Sequence, residues 1–458
     1  MAHERTEILR SDSRTISNSS QYFAGSHRTG SLEQFDIPPA NLEDVIPEPD
    51  EHRHRTLVLC FDGTGDQFDD DNSNVVNLFS MLKKDDSKLQ LVYYQASFLA
   101  LRVHVPEPEP AAKFHKMLDS MIGVHLDAHV MGGYEFLMQN YEAGDKICIF
   151  GFSRGAYTAR ALAGMIHKVG LLPRCNHQQV PFAYKMYSRQ DKTGWEQSGA
   201  FKQAFSIDVN IELLGVWDTV GSVGVIPKRL PFTTSNTHVK YFRHAIALDE
   251  RRARFKPNLW RHQPKDQQHL GLPPGAMPKA KPGPVPKKSG SKSIGDLERQ
   301  YSGDGDLVTN VEEVWFAGCH CDVGGGAVPN DTRNSLARIP LRWMIRQCFL
   351  LNTGILFHRE MLKYVGMDPV TLYPHVIPRP LAQSAPALRR CQGSAMTQNS
   401  RLSFWTDDFV NEEQEDLRDA LSPMNDMLSQ RWAWWILEVL PHKLKFQRDE
   451  DYSWVQRI

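Results

Sequence analysis

Lys146-Ile-Cys-Ile-Phe150, Gly151-Phe-Ser-Arg-Gly155 and Ala156-Tyr-Thr-Ala-Arg-Ala-Leu-Ala163 follow one another without a break. The first is a short apolar run, the length of a strand buried on both faces. The last is a run of good helix formers, and the spacing predicts a helix over Ala156 to Val169. Between them lies a G-x-S-x-G turn, which carries chemical meaning only at a strand-to-helix junction such as this one. The turn is sharp and leaves room only for small flanking residues, here Gly151 and Gly155. It lifts the Ser153 hydroxyl to the sheet edge, at the positive end of the following helix.

Four more apolar runs extend the pattern: Thr56–Phe61, Leu89–Tyr94, Ile211–Trp217 and Val314–Ala317. Helical stretches lie between or beside them at Val75 to Lys83 and about Lys116 to Tyr141. Alternation of strand and helix predicts an α/β fold with a mostly parallel central sheet flanked by helices, and the G-x-S-x-G turn at a strand-to-helix junction makes it α/β-hydrolase-like. The C-terminal region reads as helical at Leu336 to Leu351 and Met427 to Leu440. The second of these carries Trp432, Trp434 and Trp435, a stripe that suits core packing or, alternatively, a lipid-facing cap.

Composition narrows the class. The chain has 458 residues, 41% of them hydrophobic, with 53 basic against 54 acidic side chains and a net charge of -1. It is long enough to bury a large core without a disulfide or metal staple. Near-neutral charge excludes bulk electrostatic binding of nucleic acid or anionic membrane. No apolar run reaches the length of a membrane span. The seven cysteines, Cys60, Cys148, Cys175, Cys319, Cys321, Cys348 and Cys391, are odd in number, and several sit inside apolar runs. They read as reduced thiols of an intracellular protein, and with no apolar signal-peptide core at the N-terminus the expected location is cytoplasmic. Residues 1–52 are polar and read as a disordered tail, residues 53–441 as one catalytic domain, and 442–458 as a C-terminal tail. A Pro/Lys-rich stretch at about 261–296 interrupts the domain. It reads as a solvated, mobile insertion, or alternatively as a tether for nucleic acid or an acidic partner.

A nucleophilic serine needs a base and a group to orient that base. In α/β-hydrolases these follow in the order Ser, Asp or Glu, His, on loops at the carboxyl ends of later strands. Asp218 directly ends the Ile211–Trp217 run, and His320 follows Val314–Ala317 in Gly318-Cys-His-Cys-Asp322. Asp218 otherwise suits a cap or Asx turn, and His320 a polar residue of a buried loop. His244 is a rival base, in an apolar helix or strand, and Asp322 a rival orienter that otherwise orders the His320 loop. The oxyanion hole needs two amides. One belongs to Arg154, after the nucleophile. The other comes from the loop Phe61-Asp-Gly-Thr-Gly65, where Gly63 and Thr64 offer their backbone and Asp62 braces it, unless this is an ordinary Asp-Gly turn.

Together these segments resemble an α/β-hydrolase family, long labelled as a domain of unknown function, that includes the type VI secretion phospholipase effectors. The residues that carry the resemblance are Leu59–Gly65, Gly151–Arg160, Gly215–Gly221, Ala245–Arg252, Phe255–Asn258 and Val314–Gly326. It runs from about Arg55 to Pro441. It implies a Ser–Asp–His esterase with the roles on Ser153, Asp218 and His320, and, from the bacterial effectors, phospholipid ester hydrolysis. Where the family usually has a glycine-rich loop, this chain reads Ala96–His104 and then Pro106, Pro108 and Pro110. That departure implies a changed substrate pocket or, alternatively, an inactive or poorly folded protein.

The expected function is therefore serine-dependent hydrolysis of carboxylic esters, with lipid or phospholipid esters as the implied class, no cofactor and no metal. No residue pattern sets an oligomeric state. Two other readings are a metal-dependent phosphohydrolase using Asp62, Asp218, His320 and Asp322 as ligands, and a non-catalytic α/β scaffold.

Overall fold

The computed structural model describes residues 44–49, 54–64, 70–97, 126–220, 229–261, 298, 309–381, 411–430, 434–438, 444–447 and 454–457. Six strands make the central sheet: β2 (Thr56–Thr64), β3 (Gln90–Ser97), β4 (Lys146–Phe152), β5 (Ile211–Trp217), β6 (Val239–Ala247) and β7 (Asn310–Phe316). Their order is β3-β2-β4-β5-β6-β7, and every neighbouring pair is parallel. The helices are α1 (Asn74–Ser80), α2 (Leu126–Asn140), α3 (Ser153–Val169), α4 (Val180–Ser188), α5 (Lys192–Phe205), α6 (His320–Gly324), α7 (Arg338–Leu350), α8 (Arg359–Tyr364), α9 (Glu412–Ala420), α10 (Met427–Gln430) and α11 (Trp435–Glu438). The α/β class expected from the alternating runs is the observed one.

The strands alternate between two cores, as a sheet covered on both faces requires. Leu57, Leu59 and Phe61 of β2 and Ile147 and Ile149 of β4 join α2, α3 and α4 on one face. Val58, Cys60, Cys148, Phe150 and Phe152 point to the other, against α1 and α7. A near-continuous apolar run is therefore needed in each strand. β6 departs from that rule, because Arg243 and His244 are buried in it. Arg243 donates to Gln347 Oε1 at 2.7 Å, and His244 Nδ1 meets Glu313 Oε1 at 2.9 Å. These partners replace the missing apolar contacts.

After β2 the chain places β3 on one side and β4 on the other. The order reverses between β2 and β4, and the crevice at the carboxyl ends of two such strands is where open α/β sheets bind ligands. Both the G-x-S-x-G turn and the Asp62 segment lie at this point.

Four boundaries differ from the sequence reading. Val45 and Ile46, inside the expected tail, form β1, pair antiparallel with Phe357 and His358 (β8) and are buried. The expected loop at Asp62–Thr64 is the end of β2, with an irregularity in its pairing to β3 after Phe61. The single helix expected over Met427–Leu440 appears as α10 and α11, with 431–433 and 439–440 outside the described residues. In the expected C-terminal tail, Leu444–Gln447 (β9) and Trp454–Arg457 (β10) pair antiparallel. Residues 1–43 and 50–52 of the N-terminal tail, the Pro/Lys-rich stretch from 262, Cys391, Trp432 and the atypical segment from 98 onward also lie outside the described residues. No described helix is long and apolar enough to cross a membrane.

The C-terminal helix α9 docks through charge. Arg342 (1% exposed) reaches Asp416 at 2.6 Å and Asp419 at 2.5 Å, Arg346 reaches Glu412 at 2.5 Å, and Arg338 reaches Asp419 at 3.3 Å. Arginines four apart on α7 thus meet carboxylates three and four apart on α9.

Candidate active site

Ser153 is the first residue of α3 and has φ 56°, a left-handed conformation that costs energy for any residue with a Cβ. The strain persists because the flanks close tightly. A Cβ on Gly151 would lie 2.6 Å from the Gly155 carbonyl oxygen, and one on Gly155 only 2.2 Å from that of Phe61. Only glycine lets α3 approach β2 and β4 this closely.

The hydroxyl of Ser153 lies 2.8 Å from His320 Nε2, and His320 Nδ1 lies 2.5 Å from Asp218 Oδ2. A carboxylate can only accept, so Nδ1 carries the imidazole proton and Nε2 is free to accept from the serine. All three residues are buried, which strengthens each of these contacts by excluding water. Asp218 has φ 36°, and its second oxygen accepts from the Ala247 amide at 3.0 Å. The carboxylate is thus aimed by the adjacent strand end.

His320 opens α6, a single turn. Cys319 caps it, and Asp322 reaches back to the Cys319 amide at 2.9 Å. Gly318, at φ +115°, makes the bend that a side chain would block, since its Cβ would lie 2.5 Å from that of Asp322. The imidazole is flanked by Phe152 at 4.7 Å and by the edge of Phe255 at 4.9 Å.

The remaining candidates have other partners. His244 accepts from the Thr219 amide at 3.1 Å through Nε2 and meets Glu313 through Nδ1, so both ring nitrogens are engaged away from Ser153. Burial lowers its pKa, against the pull of Glu313. Asp322 is bound to Cys319 and Asn425, and the place beside His320 Nδ1 is taken by Asp218. Asp62 accepts from Ser73 at 2.6 Å, Tyr94 at 2.7 Å and the Gly63 amide at 2.8 Å. The Gly63 N–H is therefore turned into the Asp62 carboxylate rather than held open. Thr64 ends the same strand, and the Arg154 amide lies in the first turn of α3. Among the described residues no group of three or more His, Cys, Asp or Glu side chains is placed to hold a metal ion.

Sequence reasoning missed a layer behind the histidine. Glu250 Oε2 accepts from the His320 amide at 3.3 Å and from Arg252 at 2.8 Å. Burial would raise the Glu250 carboxyl, but the hydrogen bond and charge of Arg252 hold it below its ordinary range. The Arg252 guanidinium lies over Phe255 at 3.6 Å and Trp434 at 4.8 Å. Burial pushes the Cys319 thiol up to about 12, so it caps the turn as a protonated thiol.

A parallel sheet with a strained serine at the turn after a central strand, and a histidine and an aspartate at the ends of later ones, is α/β-hydrolase-like in its architecture. The chain belongs to the family described as "T6SS, Phospholipase effector Tle1-like, catalytic domain", whose model matches residues 55–347. Uncharacterized protein YEL023C of Saccharomyces cerevisiae is 27% identical over 528 residues, covering 89% of this chain and 76% of the yeast protein. Two solved structures are similar. One is an uncharacterized protein from Pseudomonas aeruginosa, at 16% identity and TM-score 0.34, covering 69% of this chain and 48% of that one. The other is the Tle1 effector bound to the VgrG spike of the type 6 secretion system, at 14% identity and TM-score 0.26, covering 68% and 61%. The chain thus spans about half and about three fifths of their lengths.

Proposed function

We propose that this chain is a serine-dependent hydrolase of carboxylic esters, with lipid or phospholipid esters as its substrate class. The observation that carries the reading is the continuous contact from Ser153 through His320 to Asp218, at 2.8 Å and 2.5 Å. Family membership supports the lipid class, because the matched family is one of phospholipase effectors.

In the first half-reaction the Ser153 oxygen attacks the acyl carbonyl while His320 Nε2 takes its proton. Asp218 stabilises the resulting imidazolium and keeps its tautomer. The oxyanion binds the Arg154 amide and, with the Gly63 N–H taken by Asp62, the Thr64 amide at the end of β2, each such donor being worth roughly 3 kcal/mol in the transition state. The protonated histidine returns its proton to the leaving alkoxide, which departs as the alcohol. Water, deprotonated by the same nitrogen, then splits the acyl-enzyme into acid and free serine.

The test is Ser153→Ala. Turnover of p-nitrophenyl acyl esters and fatty-acid release from phospholipid should fall by about ten-thousand-fold or more, with an unchanged melting curve. A fluorophosphonate probe should label the wild type on the peptide containing Ser153. Wild-type rates in the alanine variant would overturn the reading.

A further inference from the structure

The C-terminal arm, residues 411–430 and 434–438, lies beyond the matched residues 55–347, yet it closes around both segments that frame His320. On the α6 side, Asn425 donates to Asp322 twice, from its backbone N–H at 2.9 Å and from Nδ2 at 2.8 Å. Asp322 is 3% exposed and spends the same Oδ2 on the Cys319 amide that starts the turn. On the other side the arm grips residues 251–255. Asp426 pairs with Arg251, Glu438 accepts from the Ala253 amide at 2.8 Å, and Trp434 meets Phe255 edge-on at 5.5 Å. Trp434 also covers Arg252, which holds the Glu250 carboxylate that accepts from the His320 amide.

We propose that Asn425 and Trp434 are positioning residues for His320, so that the catalytic centre is complete only when the C-terminal arm is docked. The inference rests on the reading of His320 as the base for Ser153. The histidine sits on a single helical turn, and so short an element has little rigidity of its own. Its imidazole must stay within hydrogen-bond reach of two partners at once. Asn425 fixes the turn from outside through Asp322, and the Trp434–Arg252–Glu250 stack fixes its backbone from the opposite side. Asn425 bonds to Asp322, and Trp434 packs on Phe255 and Arg252, so both act on His320 through other residues and are positioning rather than catalytic residues.

The full-length chain serves for the test, with a soluble fluorophosphonate and a p-nitrophenyl ester. In Asn425→Ala the second-order labelling rate of Ser153 and kcat should fall together by about 10- to 100-fold, because misplacing a reacting group by about 1 Å costs about that much. KM should stay within about twofold, since ground-state binding is not what is lost. Trp434→Leu should fall in the same direction, and Trp434→Phe, which keeps a ring over Arg252, should recover most of the rate. Folded Asn425→Ala that labels at the wild-type rate overturns the proposal. If that variant does not fold, equal labelling of the Leu and Phe variants at position 434 overturns it. A wild-type chain that is never labelled at Ser153 removes the parent reading, and this one with it. A labelled wild type with unaffected variants removes the positioning role alone.

Discussion

Helix α3, which begins at Ser153, and helix α9, which packs on α7, are held by opposite means. Almost every residue of α3 is buried, and its buried Arg160 and Lys168 are tied to carbonyl oxygens. Arg160 donates to Thr233 and Asn258, and Lys168 to Met186, Tyr187 and Arg189. Burial lowers Arg160 to about 10 and Lys168 to about 7. The backbone position of α3 is set by shape, through glycines that admit no other side chain. In α9 the register is set by charge, through carboxylates matched to the arginines of α7. A volume change should therefore be the gravest injury to the first, and the loss of one charge the gravest to the second.

The largest effect expected is that of Gly155→Val, which drives a side chain into the Phe61 and Asp62 carbonyls. The loss should be about 3 kcal/mol or more, read as a lowered urea midpoint or as failure to obtain folded protein. Next comes Asp419→Ala. Asp419 is fully buried against Arg342 and Arg338, and removing it leaves the interior charge of Arg342 with the Asp416 carboxylate and the Val365 carbonyl oxygen. Breaking a buried pair from one side costs about 3 kcal/mol, again measured by urea unfolding. A stability equal to wild type would mean that α9 is held by its apolar contacts instead.

Glu250→Gln should have the smallest effect, and it depends on pH. The folded Glu250 carboxyl ionises below its ordinary value of 4.5, so its contribution is fully present above that value. It is lost as the pH falls through the folded value, where both states become protonated. The gap in melting temperature between wild type and variant should be full near about pH 6 and should narrow below pH 4.5. A gap that does not narrow would show that the Arg252 pairing contributes nothing to folding.

Much of this arrangement could be read from local sequence, and the reason is physical. Strands buried on both faces must be apolar throughout, so Thr56–Phe61, Lys146–Phe150 and Ile211–Trp217 fall within β2, β4 and β5. The turn at Ser153 demands glycines at fixed offsets, and strand ends pointed to Asp218 and His320. β6 escaped a firm assignment because its interior holds Arg243 and His244, whose partners lie far along the chain. The support behind His320 was equally hidden. Asn425 and Asp322 are 103 residues apart, and no periodicity announces such a pair. The tryptophan-rich stretch signalled packing, but only its three-dimensional neighbours showed that Trp434 packs on Arg252.

Ser153 and Asp218 both hold left-handed backbone angles while carrying the side chains that meet His320. Glycine at either position would relax the chain and delete the functional group in the same stroke. Under the proposed reaction, thermal robustness and reactivity therefore compete at these two positions, and improvements in durability must be sought elsewhere in the molecule.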